Sequence, residues 1–390
     1  MLKLYNSLTQ KIEEVTFIEN GKATLYVCGI TPYDTTHLGH AFTYLSFDTL
    51  IRILEKENIK VAYTQNVTDI NDRDNDILKR AKEQNTTWEK LSDFWTKRFL
   101  DDMKTLNWRK PDNYIKASEN IQSMIAIIER IIDNGFGYIV KGNVYLDINK
   151  ASDFGKLSRL NKDEMLKIAD NFEEDTKNPD KKNPLDITLW KATLENQPNH
   201  IPSFNSPWGN GRPGWHIECS AMGMTTLGEQ IDIHGGGIDL IYPHHESEIT
   251  QSECATNKKP FSRFWMHTAS VYMNKEKMSK SLGNLILIYD LLKKYSPNAI
   301  RFVLLSHHYR KSWEYNENEF IEAEKTIKEI KEKLPLLPKE NTQIQEEIDN
   351  LLNNDLQIPQ ALKLIYNLVL KNEISTNEVK TNLELLGFIF

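Results

Sequence analysis

Three cysteines, Cys28, Cys219 and Cys254, are the only thiols in the 390 residues. Two of them stand beside other groups that bind metals. Cys28 closes the apolar run ATLYVC, and Cys219 ends the segment GWHIEC. A third segment, PHHESE, sets His244 and Glu248 four residues apart, on one face if the segment is helical. Two thiolates, one imidazole and one carboxylate suit zinc. No C-x-x-C pair marks the site, and His234, His244 and His245 form an alternative set. A lone cysteine also serves as a small buried hydrophobe, which is the reading for Cys254.

A second group of residues suits phosphate. In THLGHA, His37 and His40 are three apart and flank Gly39, where a strand hands over to a helix. Glycine admits a ligand close to the backbone, and a helix start offers unbonded N–H groups to an anion. Late in the chain, Lys277, Ser279, Lys280 and Ser281 form KMSKS, a cationic and hydroxyl-rich loop suited to a triphosphate. Between them lies GGGID, in which Gly237 permits close approach and Asp239 offers a carboxylate to a ribose.

Strand and helix signals must position these groups. Ala23 to Cys28 reads as a buried strand ending at Gly29, followed by a helix through Leu54. Val61 to Val67 reads as a second strand, with helical patterns near 87–106 and 118–134. That alternation predicts an α/β fold with a Rossmann-like parallel sheet, split by an insertion and followed by a helical bundle. The expected divisions are 1–149 and 206–315 for the two halves of the nucleotide-binding domain, 150–205 for a loop-like connective insertion, and 316–390 for C-terminal helices.

Composition narrows the class. Apolar residues are 39% and charged residues 26%, ordinary for a globular protein. No apolar run reaches the roughly 18–20 residues of a membrane span. The N-terminus has no signal-peptide pattern, and so few cysteines fit a reducing cytoplasm, where a monomer is expected. The net charge of −7 confines any RNA contact to a local surface.

The elements HLGH and KMSKS resemble the two signatures of class I aminoacyl-tRNA synthetases. YVCGIT, PGWHIECSAMGM, DIHGGGIDLIYPHHESEITQSE and EKMSKSLGN are similar to the cysteinyl-tRNA synthetase family, nearly continuously to about residue 320. The resemblance implies a zinc ion on Cys28, Cys219, His244 and Glu248 that binds the substrate cysteine's sulfur. It also implies cysteine contacts from Thr31, Thr68 and Trp215. ATP, with Mg2+, would meet Gly39, His40, Gly237, Asp239, Lys277, Ser279, Lys280 and Ser281. His37, His40, Lys277 and Lys280 would stabilise charge during formation of cysteinyl-adenylate.

Two branches of this family share that step. One passes cysteine to tRNA-Cys, the other to the amine of glucosaminyl-inositol in mycothiol biosynthesis. The short C-terminal region, CGITPYDTTHLGHAFTY, the run DTKNPDKKNPLD and the phenylalanine at Phe42 resemble the amino-sugar branch. Glu248 and His234 resemble the tRNA branch. The amino-sugar acceptor is the expected one, with tRNA-Cys the alternative.

Overall fold

The computed structural model describes residues 2–34, 36–278, 283–338 and 344–390. Its centre is a five-stranded, all-parallel sheet. Across the sheet the strands run Ser262–Thr268, Ile231–Gly237, Lys22–Ile30, Lys60–Val67 and Asn113–Lys116. Lys22–Ile30, Lys60–Val67 and Ile231–Gly237 are buried along most of their length, as expected where both faces of a parallel sheet are covered. Strand order reverses direction between Lys22–Ile30 and Ile231–Gly237. Open α/β sheets bind ligands at such a switch, beyond the carboxyl ends of the strands.

Alternation along Lys22–Ile30 decides which face each side chain reaches. Leu25 and Val27 join the core formed with helix Leu38–Lys56 and the C-terminal helices. Tyr26 and Cys28 join the opposite core, built with helices Ile121–Asp133 and Trp215–Leu227. Cys28 therefore points at the helix that carries Cys219. The strand extends one residue past the expected stop at Gly29, with a register irregularity between Val27 and Ile30. A Cβ on Gly29 would lie 1.6 Å from the Asn66 carbonyl oxygen. Gly29→Ala should therefore destabilise the fold by about 3 kcal/mol through overpacking. Thermal unfolding checks this; an unchanged midpoint would contradict the close approach.

Residues 150–205 are more ordered than a loop-like reading suggests. Helix Lys162–Asn171 starts with a reciprocal cap between Asn161 and Glu164. Strand Ile187–Ala192 joins a four-stranded antiparallel sheet with Gly137–Val140, Asn143–Leu146 and Gly211–Pro213. This sheet straddles the segment on both sides. Toward the C-terminus, helices Glu317–Lys333, Gln345–Asn353, Ile358–Lys371 and Thr376–Leu385 pack on the face that carries Leu38–Lys56. Among the described residues no helix is long and apolar enough to cross a membrane.

Candidate active site

A cleft of about 650 Å³ opens at the switch point of the sheet. Three donors line its floor and a fourth, Glu248, is buried against them, each from a separate element. Cys28 lies on a strand, Cys219 on helix Trp215–Leu227, His244 in the irregular turn Ile241–His245, and Glu248 on helix Glu246–Thr256. One ligand atom from each lies within 4.8 Å of all the others, and all four side chains are buried. His244 sits just before the helix and not on it, yet its Nε2 is 3.0 Å from Glu248 Oε1. The two sulfurs are 3.9 Å apart. Two thiolates at about 2.3 Å on a tetrahedral ion would be about 3.8 Å apart, so the donor set fits zinc in chemistry and spacing.

The electrostatics agree with that use. Burial raises Glu248, but the charges of His234 and His244 outweigh it and hold the carboxyl well below the usual range. Burial also raises Cys219, yet hydrogen bonds with Cys28 and His244, together with the charge of His244, bring this thiol down to about 6. Cys28 stays well above an ordinary thiol, through burial and the neighbouring Cys219 and Glu248. Burial lowers His244, but the charges of Glu248 and Cys219 lift it to about 10. At neutral pH, then, Cys28 and His244 hold protons that a metal must displace. Zinc binding is expected to release about two protons per ion near pH 7.5, so apparent affinity should climb steeply as pH rises. Calorimetry in buffers of different ionisation enthalpy checks this; zero release would contradict the assignment.

His234 and His245, the alternative donors, are also close. Cys28, His234, His245 and Glu248 form an overlapping set that shares two members with the first. His245 Nδ1 is 2.7 Å from His267 Nε2, and His267 Nδ1 is 2.7 Å from Ser7 Oγ. Burial and the neighbouring His234 and His267 depress His245 far below an ordinary imidazole. It is a neutral support beneath the first set. His216 and His267 were not singled out from sequence, although His216 stands directly inside the motif GWHIEC.

Thr31, Thr68 and Trp215 line the wall above these donors. Asn66, not anticipated from sequence, arranges that wall. Its Oδ1 accepts from Gly29 N at 2.7 Å and its Nδ2 donates to Thr68 Oγ1 at 3.0 Å. Trp215 is half-buried. Its ring stacks on His244 with centroids 4.4 Å apart, and Arg73 covers it at 3.7 Å. It faces the cleft and not a core.

The rim holds the phosphate-suited groups. His37 caps helix Leu38–Lys56, its Nδ1 accepting from His40 N at 3.3 Å, and the two rings stack with centroids 3.6 Å apart. Leu38 N donates to Ile286 O at 2.8 Å and Ile288 N to Thr36 O at 3.0 Å. The segment just after KMSKS is thereby stitched to HLGH, and the two halves meet. Across the cleft Lys277 pairs with Asp239 at 3.0 Å, beside Gly237. Ser279, Lys280 and Ser281 lie outside the described residues. Phe42 is buried against Trp313 and does not line the cleft.

Residues 14–325 match the family model of the tRNA synthetases class I (C) catalytic domain. A cysteine-tRNA ligase of Dehalococcoides mccartyi is 42% identical over 377 residues, covering 94% of this chain and 80% of that protein. One from Caldicellulosiruptor saccharolyticus is 45% identical over 331 residues, covering 84% and 68%. A methionyl-tRNA synthetase from Mycobacterium tuberculosis, solved with methionyl-adenylate, superposes with a TM-score of 0.66 at 13% identity, over 90% of this chain and 82% of that one. That last likeness is one of fold.

Proposed function

The chain belongs to the class I tRNA synthetases of the (C) catalytic-domain type, an ATP-dependent ligase family, and from that premise we propose that it activates L-cysteine and transfers it to tRNA-Cys. The observation that carries the specificity is the buried set of two thiols, imidazole and carboxylate at the floor of a cleft whose rim holds the HLGH histidines. Bound there, zinc supplies a soft Lewis acid for the substrate's sulfur. An apolar pocket separates near-isosteres such as cysteine and serine by only ~100-fold, whereas a soft metal prefers thiolate to a neutral hydroxyl.

The chain's own residues do the rest. Thr31, Thr68 and Trp215 hold cysteine with its carboxylate toward the rim. That carboxylate attacks the α-phosphorus of ATP, accompanied by Mg2+. The bond to the β-phosphate oxygen breaks, and pyrophosphate leaves. His37, His40, Lys277 and Lys280 stabilise the charge on the transferring phosphoryl and on pyrophosphate. Gly237 and Asp239 seat the ribose, which requires Lys277 to exchange its Asp239 partner for phosphate. In the second step a ribose hydroxyl at the tRNA end attacks the cysteinyl carbonyl, and AMP leaves.

The amino-sugar acceptor suggested by the C-terminal region and by DTKNPDKKNPLD finds no support among the relatives, which are named for tRNA. Purified protein given ATP, radiolabelled cysteine and either tRNA-Cys or glucosaminyl-inositol tests the acceptor. Label is expected on the tRNA in an alkali-labile ester; label in an alkali-stable amide of the sugar would overturn this reading.

A further inference from the structure

Glu174 belongs to the polar stretch that follows helix Lys162–Asn171, far in sequence from every donor. Its side chain is 17% exposed, and each oxygen has one strong partner. Oε1 accepts from Arg73 Nη2 at 2.9 Å, and Oε2 faces His216 Nε2 at 3.0 Å. His216, buried, in turn sets its Nδ1 2.8 Å from His244 Nδ1. The remaining nitrogen of His244, Nε2, is the one turned to the donor set.

Each of these contacts needs one proton, and their placement is constrained. A metal on His244 uses the Nε2 lone pair, so the ring's proton must sit on Nδ1. That N–H then donates to His216 Nδ1, which must be the lone-pair nitrogen. His216 accordingly carries its own proton on Nε2 and donates it to the Glu174 carboxylate. The opposite arrangement turns a proton on His244 Nε2 toward the donors and sets a bare His216 nitrogen against an ionised carboxylate. Only the first arrangement satisfies every contact with the metal in place. Arg73 belongs to the same unit, because it pairs with Glu174 and also covers Trp215, whose other side stacks on His244.

We propose that Glu174, acting through His216, is a positioning residue that holds His244 in the metal-binding tautomer, and that Arg73 joins this chain of contacts to the wall of the cysteine pocket. The proposal rests on the metal assignment made under Proposed function. Carboxylate partners of metal-bound imidazoles commonly contribute 10–100-fold in affinity. A contact one ring further out belongs at the lower end of that range.

The test is zinc affinity of the full chain, by competition with a chromophoric chelator. Glu174→Met removes the acceptor at similar volume and should weaken binding about tenfold. Glu174→Gln keeps a carbonyl acceptor and should recover most of that loss, which a space-filling role would not produce. Asp180→Asn, an equal charge change in the same segment, should have no effect. If Glu174→Met does not fold, Glu174→Ala replaces it. Wild-type affinity in Glu174→Met, or equal loss in Glu174→Met and Glu174→Gln, overturns the proposal. Failure of the metal assignment itself looks different: the unmodified protein would then bind zinc no better than Cys219→Ala does.

Discussion

Replacing Cys219 with alanine is expected to remove stoichiometric zinc binding and to cut cysteine-dependent ATP–pyrophosphate exchange by more than ~100-fold, the upper range for loss of a mere supporting contact. Three facts set the size of the effect. Cys219 is the donor whose thiol is brought down to about 6, so it offers a ready thiolate at neutral pH. Its sulfur is 3.9 Å from that of Cys28, and without it only three donors remain. Its backbone lies in helix Trp215–Leu227, where alanine is well tolerated, so the fold should survive. Cys254→Ala is the matched control. That thiol is also buried but belongs neither to the donor set nor to the lining of the cleft, and burial lifts it to about 12. Its exchange activity should stay within about twofold of the parent, since no proposed ligand is touched. Equal activity in both variants, measured with metal content, would remove Cys219 from the site.

The second large effect is on stability. Asp48 and Arg301 are fully buried and paired, joining helix Leu38–Lys56 to helix Pro297–Leu305. Arg301 also donates to the Leu106 carbonyl at 2.8 Å and to the Leu386 carbonyl at 2.5 Å. Asp48 accepts from Arg52 Nε at 2.9 Å and Arg109 N at 2.7 Å. Asp48→Ala strands a guanidinium in the core between the sheet domain and the terminal helices. Breaking such a pair from one side costs about 3–5 kcal/mol, because the remaining charge stays buried and uncompensated. The thermal midpoint should fall by about 10 °C at the 2–4 °C per kcal/mol of a large domain. A fall under about 2 °C would show that water or another group relieves Arg301.

Much of this was legible in the sequence, for identifiable reasons. Parallel strands buried on both faces read as apolar runs, so Lys22–Ile30 and Lys60–Val67 were visible to within a residue or two. The donors lie inside three short, chemically unusual segments, and alternation along the first strand aims Cys28 at Cys219. The antiparallel sheet was not visible. Gly137–Val140 and Asn143–Leu146 are four residues each, too short to show a period, and Ile187–Ala192 follows a polar tract that reads as loop. His244 was expected on the same helix face as Glu248 but belongs to the turn before it, where Tyr242 is extended within an otherwise helical stretch. The Arg73–Glu174–His216 chain spans segments 101 and 42 residues apart, so no local pattern announces it.

The same geometry explains why the site is built deep. Around Glu248 only buried, oriented partners compensate its charge: His234 Nε2 at 2.8 Å on one oxygen and His244 Nε2 at 3.0 Å on the other. An ionised carboxylate in the interior is costly unless paired in this way.

X-ray absorption at the zinc edge, recorded on the zinc-loaded protein alone, with L-cysteine and with L-serine, is the most direct measurement of the central claim. Two sulfur neighbours are predicted for the protein alone, from Cys28 and Cys219, a third on adding cysteine, and no change on adding serine. A sulfur count unaltered by cysteine would contradict it.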